Sequence, residues 1–595
     1  MNLQDLSFDF ATLSEGYAQG DFSPSDIIRE ALRRIESGDA KIWISVDKAE
    51  NLLAQAAELE ARDSSALPLH GIPFAVKDNI DVANLPTTAA CPDYKYFPEN
   101  DATVVANLRA AGAIPLGKTN LDQFATGLVG TRSPYGVPGN AFDPEYLPGG
   151  SSSGSAVSVA LGQVSFSLGT DTAGSGRVPA CFNNLVGLKP SRGLLSCSGV
   201  IPACRSIDCV SIFSLNAADA QLAFRQASGL DEKDPYSRVA PNAPCAKSFT
   251  TFGVPEPTQL RFFGDEAYQE AYLEAIARLE SLGYQKQVID FEPFLAAARL
   301  LYEGPWVAER YWAIKDLIVN APEILHPTTR AIIENGANYS SVDTFDAIYK
   351  LQALKRKTDA AMENIDFLAT PTAGTHYRIA EVEADPVALN SNLGYYTNFM
   401  NLLDMSAVAT PTAMLSSGRP FGITLIGDTF ADESLLIIAD RLQQASDLPL
   451  GTRSVKRFPE LQPISTDESM EIVVCGAHMS GLPLNHQLTD LGATLSQSTR
   501  TATTYRLFAL PNTTPPKPGM IRDEENGAAI EVEVWSLPKA NWGAFVEQIP
   551  SPLGIASIEL EDGSFVKGFA CEAWATEGAQ EFTELGSWRA LVAKA

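Results

Sequence analysis

The sequence has 595 residues, of which 45% are hydrophobic and 19% charged, a composition typical of a globular protein with more than one domain. It carries 44 Lys and Arg against 72 Asp and Glu, and the net charge of −28 disfavours nucleic acid as a partner because phosphate backbones are repelled. The N-terminus is acidic where a signal peptide is basic and apolar, and the longest uncharged stretch, 146–170, is too rich in Gly and Ser for a membrane span. We therefore expect a cytoplasmic protein that binds neither nucleic acid nor a membrane.

Residues 23–37 begin with Ser and Asp, and their apolar residues recur at helical spacing. This pattern predicts an amphipathic helix, which we expect to open the protein. Farther along, short apolar runs typical of strands alternate with longer runs of helical period. The predicted strands are 72–80, 113–119, 165–171, 260–264, 366–372 and 422–427, and the predicted helices include 101–112 and 265–283. This alternation predicts an α/β fold with a mixed β-sheet core covered by helices.

A polar, Pro-containing stretch near 452–469 has no clear period and predicts a domain boundary. We divide the chain into a large domain, 1–455, a linker, 456–469, and a small α+β domain, 470–595. The small domain is expected to contain a strand from 471, a turn and helix over 481–495, an alternating strand at 530–535, and a hairpin around the Glu-Asp-Gly turn at 561–563.

The positions of cysteine and histidine do not indicate a metal site or a disulfide framework. The eight cysteines show no paired C-x-x-C spacing, and the five histidines are scattered along the chain. We therefore expect free thiols, no metal ion and no other cofactor.

Lys77 ends the apolar run GIPFAVK, beside Asp78 and Asn79. A lysine in such a place is most often a solvated charge, so its position alone carries little weight. Farther on, the segment PGGSSSGSAVSVALG at 148–162 places a Gly/Ser-rich turn before a helix of small residues. Serines that only cap this helix are one interpretation; a phosphate-binding loop is excluded because the GxxxxGK[ST] spacing is absent.

A second turn, SLGTDTAGSGRVPA at 167–180, places Ser175 between Gly174 and Gly176. Glycines on both sides allow a tight backbone turn, which exposes the serine Oγ next to backbone N–H groups. That is how a nucleophile for acyl transfer is presented. None of the five histidines lies in a recognisable triad motif, so a different base is required.

These three segments closely resemble the motifs of the amidase signature family, including the separation of 24 residues between Ser151 and Ser175. The resemblance covers about 1–455 and implies a Ser-cisSer-Lys triad. In that triad Lys77 is the base, Ser151 is a bridging serine that follows a cis peptide bond, and Ser175 is the nucleophile. The implied oxyanion hole consists of the backbone N–H groups of Thr172, Ala173 and Gly174.

The implied triad makes physical sense, because a buried lysine loses the solvation that stabilises its charged form. A neutral Lys77 would take the proton of Ser151, which in turn takes the proton of Ser175 as that serine attacks a carbonyl carbon. The reverse relay would protonate the departing ammonia.

Two further details resemble the allophanate-hydrolysing branch of the same family: GTDTAGSGR around Ser175, and TNLDQFATGLVGTRSPYG at 119–136. The implied substrate is the small molecule allophanate, H2N–CO–NH–COO⁻. By the same resemblance, Gly127, Tyr302 and Arg310 fall on substrate-binding positions, and Pro305 is expected to start the helix that carries Arg310. An arginine fork suits a carboxylate, although Arg310 could instead pair with Glu309 or another carboxylate.

The tail after 470 resembles the C-terminal domain of allophanate hydrolases. In some members that domain is implicated in processing the first product, N-carboxycarbamate, and in others it serves assembly; the sequence leaves both open. His478 is our candidate for a base in this domain, with a hydrogen-bonded structural histidine as the alternative. The resemblance also implies a homodimer and functional coupling to a urea carboxylase.

Three alternatives remain at this point. Another small-amide hydrolase of the family would act on a malonamate-like or biuret-like compound. A transamidase component that works on charged tRNA would be expected to show a basic surface and would not need the tail. A silent scaffold would not need to retain Lys77, Ser151 and Ser175 together.

Overall fold

The structure is a computed structural model and describes residues 3–240, 249–461, 469–511, 513 and 516–594. The described chain separates into two compact units. The large unit comprises the described residues up to 461, and the small unit those from 469 onward. Half of the predicted linker, 456–469, falls on 462–468, which lie outside the described residues, so its bounds stay a prediction.

Within the described residues, an eleven-stranded mixed sheet forms the centre of the large unit. Its strands are β1 (Trp43–Val46), β2 (Pro73–Lys77), β3 (Ile114–Thr119), β4 (Phe166–Asp171), β5 (Val186–Lys189), β6 (Cys209–Ser214), β7 (Thr251–Pro255), β8 (Gln285–Ile289), β9 (Phe367–Pro371), β10 (Ser406–Met414) and β11 (Pro420–Gly427). Across the sheet the order is β1-β3-β2-β4-β6-β5-β10-β11-β9-β7-β8. Strand β2 pairs in parallel with β3 and β4, whereas β4 pairs antiparallel with β6. Because helices cover both faces, every residue of β2, β3 and β4 is buried.

The helices of the large unit surround this sheet. They are α1 (Phe10–Gln19), α2 (Pro24–Glu36), α3 (Ala49–Glu60), α4 (Thr103–Ala110), α5 (Ser153–Ala160), α6 (Val178–Phe182), α7 (Ala217–Ala227), α8 (Glu266–Ser281), α9 (Glu292–Glu303), α10 (Trp306–Asn320), α11 (Pro327–Glu334), α12 (Ser341–Met362), α13 (Ile379–Ala384), α14 (Ala388–Leu393) and α15 (Asp432–Ser446). Among the described residues, no helix combines the length and the apolar character that crossing a membrane requires.

The predicted helix at 23–37 is confirmed as α2, which begins with a capping box formed by Ser23 and Asp26. The expectation that this helix opens the protein is wrong, because α1 precedes it. Helix α1 has its own boundary signals: the Asp9 side chain accepts a hydrogen bond from the Thr12 N–H, and Gly20 ends the helix in the left-handed conformation.

Five of the six predicted strands are confirmed, as β2, β3, β4, β9 and β11, and the two predicted helices are α4 and α8. The predicted strand at 260–264 is wrong. Phe263 has a φ of +52°, which a strand does not allow, and the Arg261 N–H donates to the Tyr396 hydroxyl at 2.7 Å instead of to a neighbouring strand. A tertiary contact therefore overrides the local β pattern.

The small unit has two sheets in the residues that are described. Its elements are β12 (Ser469–Val474), α16 (His486–Thr489), β13 (Thr494–Arg500), β14 (Tyr505–Ala509), β15 (Pro518–Arg522), β16 (Glu531–Pro538), α17 (Trp542–Val546), β17 (Leu553–Glu559), β18 (Phe565–Cys571), β19 (Gln580–Glu581) and α18 (Trp588–Val592). One sheet has the order β13-β16-β12-β18-β17, and the other has the order β15-β14-β19. The predicted hairpin is confirmed as β17 and β18, and the predicted α/β class with a second, smaller α+β unit is confirmed.

Candidate active site

Lys77 is the last residue of β2, and its side chain is fully buried. Its Nζ lies 2.8 Å from Ser151 Oγ and 2.7 Å from Thr170 Oγ1, so the structure brings two of the predicted site residues together. Burial lowers the pKa of Lys77 from 10.5 to about 7, although the nearby carboxylates of Asp122 and Asp171 raise it in part. Above that pH the amine is mainly neutral and can accept a proton.

Ser151 lies in the loop before α5 and follows a cis Gly150–Ser151 peptide bond, as the family resemblance implied. Its side chain is fully buried. Its carbonyl oxygen accepts a hydrogen bond from the Asp122 N–H at 3.0 Å, and the Gly150 N–H donates to the Leu128 carbonyl at 2.9 Å. Both sides of the cis bond are therefore held by the neighbouring segment that begins at Asp122.

Ser175 stands in the tight turn between β4 and α6 and is 3% exposed. Gly174 has a φ of +137°, and a Cβ there would lie 2.5 Å from Thr397 Oγ1, so this position needs glycine. The Asp171 carboxylate accepts the N–H groups of Gly174 and Gly176, each at 2.9 Å. These two bonds enclose Ser175 and hold the turn in one conformation.

The predicted oxyanion hole is only partly free in the structure. The Gly174 N–H already donates to Asp171, which leaves it poorly placed for a ligand. In the part of the chain that the structure describes, the N–H groups of Ala173 and Ser175 have no protein acceptor. Together with that of Thr172, which is also unbonded there, they are the donors available to a developing oxyanion.

Arg310 lies on α10, which begins directly after Pro305 as expected, and its side chain is 2% exposed. Its Nη1 donates to Thr126 Oγ1 at 3.1 Å, and its guanidinium carbon lies 5.6 Å from the centre of the Tyr302 ring. Its Nε is buried without a partner in the described residues. Tyr302 itself belongs to the last turn of the preceding helix, α9.

The alternative that Arg310 pairs with Glu309 is wrong. Glu309 accepts hydrogen bonds from the Ser206 N–H at 2.6 Å and from the Ser206 hydroxyl at 2.7 Å. Burial lowers the pKa of Arg310, but Cys204 and other neighbouring groups outweigh this effect and hold the pKa above its ordinary value. The described residues thus contain a buried, charged guanidinium that forms no ion pair.

Gly127 lies in the loop that carries Thr126, and its φ is +156°. A Cβ at this position would lie 2.6 Å from Asp122 Oδ2 and 3.2 Å from Arg132 Nη1. The missing side chain therefore makes room for the Asp122 carboxylate, a packing reason that the sequence did not indicate.

Three buried polar residues beside this cluster were not identified from the sequence: Thr170, Asp171 and Asp208. Asp171 forms an ion pair with Arg177 at 2.8 Å, and it could have been noticed because it stands in the same motif as Ser175. Asp208 accepts the Ala203 N–H at 2.8 Å and the Thr172 hydroxyl, and burial raises its pKa to about 6. Nothing in the sequence connects Asp208 to the turn, since only the fold brings it there.

His478 lies in the small unit, just beyond β12, at a cavity of about 220 Å³. Its Nε2 lies 2.8 Å from Gln487 Oε1, and its ring stacks on Phe569 at 5.0 Å. Burial lowers the pKa of His478, so the ring is neutral near pH 7. Lys517 also lines the cavity.

Comparison with known proteins gives two family matches. A family model described as Amidase matches residues 26–436, and one described as Allophanate hydrolase C-terminal domain matches residues 470–593. Among solved structures, Kluyveromyces lactis allophanate hydrolase matches with a TM-score of 0.77 and 42% identity, and the match covers 97% of this chain and 98% of that one.

Two curated relatives extend the comparison. The urea amidolyases of Lachancea kluyveri and Saccharomyces cerevisiae are 46% and 45% identical over 92% and 96% of this chain, but over only 31% and 32% of their own length. The chain therefore spans about a third of the length of these relatives.

Proposed function

We propose that this chain, which belongs to the amidase family, is an amidohydrolase whose substrate is allophanate. Membership follows from the match over 26–436 and agrees with the family predicted from the motifs around Lys77, Ser151 and Ser175. The products would be ammonia and N-carboxycarbamate. The observation that carries the choice of substrate is the buried Arg310 guanidinium, which forms no ion pair within the described residues.

The proposed reaction begins with the neutral amine of Lys77. It accepts the Ser151 proton across the 2.8 Å contact, and Ser151 accepts the Ser175 proton as Ser175 Oγ attacks the amide carbonyl carbon. The N–H groups of Thr172, Ala173 and Ser175 are the donors available to stabilise the oxyanion. The proton returns through Ser151 to the departing nitrogen, ammonia leaves, and water then hydrolyses the acyl-enzyme by the same relay.

Arg310 explains how a chain of net charge −28 would capture an anionic substrate. A guanidinium fork binds a carboxylate through two aligned hydrogen bonds, and burial strengthens each of them. Contacts with Thr126 and with the Tyr302 ring restrict the orientation of the fork before the substrate arrives. A neutral amide would bring no carboxylate to this guanidinium, which forms no ion pair within the described residues, and this favours a substrate with a carboxylate beside the scissile amide.

The test is to give the purified protein allophanate, biuret, malonamate and simple amides and to measure ammonia release. We expect allophanate to be the best substrate by kcat/KM. Activity on simple amides with none on allophanate would overturn the assignment, and a preference for malonamate or biuret would favour the alternative of another small-amide hydrolase.

For the small unit we propose that His478 acts as a base in the breakdown of N-carboxycarbamate to carbon dioxide and ammonia. Its support is the cavity of about 220 Å³, in which a neutral imidazole lies together with Lys517. The large unit has its own hydrophobic core, so a protein truncated after Leu461 should still release the first ammonia. If the truncated protein also released carbon dioxide at the full rate, assembly would be the better role for the small unit.

The remaining predictions concern partners and location. The urea amidolyase relatives are about three times as long as this chain, which supports the proposal that a urea carboxylase supplies the allophanate. A homodimer and residence in the cytoplasm stay predictions from the family resemblance and the sequence. Sedimentation at several protein concentrations would test the dimer.

A further inference from the structure

Asp122 is a fully buried residue that the proposed chemistry does not use. Its carboxylate accepts three backbone N–H groups from one loop. Oδ2 accepts from Gly130 at 2.9 Å and from Val129 at 3.3 Å, and Oδ1 accepts from Arg132 at 2.9 Å. Hydrogen bonds from several amides to one buried carboxylate hold that loop in a single conformation.

The same residue also contacts the backbone at the bridging serine. The Asp122 N–H donates to the Ser151 carbonyl at 3.0 Å. A Cβ built on Gly150 would lie 2.1 Å from Asp122 Oδ2, so the carboxylate packs directly against the peptide that precedes Ser151. Displacement of this carboxylate would therefore disturb the position of Ser151 Oγ.

The loop that Asp122 holds is also the one that contacts Arg310. The Ala125 N–H donates to the Asp122 carbonyl at 2.9 Å, and the next residue, Thr126, accepts a hydrogen bond from the Arg310 Nη1 at 3.1 Å. One short segment, 122–132, thus connects the guanidinium proposed to bind the substrate with the serine proposed to move the proton.

We propose that Asp122 is a positioning residue that fixes Ser151 and the Arg310-binding loop in one arrangement, so that the proton relay and the substrate carboxylate are aligned with each other. This inference rests on the proposed function. Its effect is expected in kcat as well as in KM, because both the relay and the bound substrate depend on the segment.

Asp122 is charged, so its removal should also change the pH dependence of the reaction, which a merely structural role would not do. The charged groups that face Lys77 are Asp122, Asp171, Asp208 and Arg310, and Asp122 has the largest effect among them. Its negative charge raises the pKa of Lys77 against the lowering by burial. Removal of that charge should lower the pKa of Lys77, so the amine stays neutral to lower pH. The fall of kcat/KM on the acidic side of its pH profile, which we call the acid limb, should then move to lower pH.

The test is Asp122→Asn, which keeps the size of the side chain and removes its charge. We expect kcat to fall about ten- to hundredfold, KM for allophanate to rise, and the acid limb to move to lower pH. Asp432→Asn is the matched control, because Asp432 is equally buried, accepts the Ser191 N–H at 2.7 Å and is not among the charges that face Lys77. Its acid limb should match that of the wild type.

A folded Asp122→Asn protein with a wild-type kcat and KM would overturn the inference, and so would one whose losses in kcat and KM were no larger than those of Asp432→Asn. If that variant did not fold, Asp122→Glu, which keeps the charge but is longer by one methylene, should have a reduced kcat and an unchanged acid limb; a normal kcat would overturn the inference. Failure of the proposed function is a separate outcome, because a wild-type protein inactive on allophanate would show it without any variant.

Discussion

The two units place their candidate bases in different electrostatic surroundings. Lys77 in the large unit is buried among charges, and opposing effects of burial and carboxylates set its pKa at about 7. His478 in the small unit contacts the rings of Phe545 and Phe569, and its Nε2 lies 2.8 Å from the uncharged side chain of Gln487. Burial is the largest cause that lowers the pKa of both bases, but carboxylates oppose it at Lys77, whereas the charge of Lys517 adds to it at His478.

The largest effect is expected from Ser175→Ala, which removes the proposed nucleophile. Ammonia release from allophanate should fall by about ten-thousandfold or more, because only water remains to attack the carbonyl. The measurement is steady-state ammonia release, with the melting temperature as a check that the fold persists. Turnover near the wild-type rate would show that another group attacks the substrate.

Lys77→Ala should lower kcat by about a thousandfold or more, since the relay then has no base. Because Lys77 and Ser175 act as a unit, the double variant should be no slower than Ser175→Ala alone. Single and double variants are compared by single-turnover kinetics. Additive losses, or a Lys77→Ala enzyme with a nearly normal rate, would contradict the role of this lysine as the base.

Arg310→Ala should reduce kcat/KM for allophanate by about a hundredfold, because a charge-assisted pair with the substrate carboxylate is lost. Any residual reaction with an uncharged amide should fall much less. Arg299→Ala is a suitable control, since Arg299 is half-exposed and pairs with Glu292 on the surface of α9. Equal losses on both substrates would indicate a structural role for Arg310.

The pH dependence should follow the Lys77 amine. Protonation inactivates it, so kcat/KM for allophanate should be level above its pKa of about 7 and should fall about tenfold for each pH unit below it. Pre-steady-state rates between pH 5 and pH 9 would measure this limb. If the acid limb of kcat/KM lay at the same pH in Lys77→Ala and in Asp122→Asn as in the wild type, it would have to be assigned to another group.

The smallest effect is expected from His478→Ala. The first ammonia should appear at the wild-type rate, while carbon dioxide release slows by about tenfold or more. Ammonia and carbon dioxide are followed together, with His486→Ala as the control from the same unit, since His486 is not among the residues that line the cavity and its Nδ1 lies 3.0 Å from the Pro483 carbonyl oxygen. Identical time courses for the two variants and the wild type would remove the catalytic role of His478.

Features that depend on neighbouring residues along the chain could be predicted from the sequence alone. Helix α2 was predictable because its capping box and apolar spacing both lie within 23–37. The turn around Ser175 was predictable because its two flanking glycines adjoin it, and the family resemblance then added Lys77 and Ser151. The strand predicted at 260–264 failed, because the contact of Arg261 with Tyr396 bridges 135 residues of sequence.

The ionisation and the free hydrogen-bonding groups of the site depend instead on tertiary packing. Lys77 and Ser151 are 74 residues apart in the chain, and the pKa of Lys77 depends on how deeply β2 is buried and on carboxylates from three other segments. The role proposed for Asp122 also depends on tertiary packing, because a loop and the Gly150–Ser151 peptide must pack against its carboxylate. Burial and charge act through space and leave no periodic pattern in the sequence. Only the folded structure therefore shows which groups they affect.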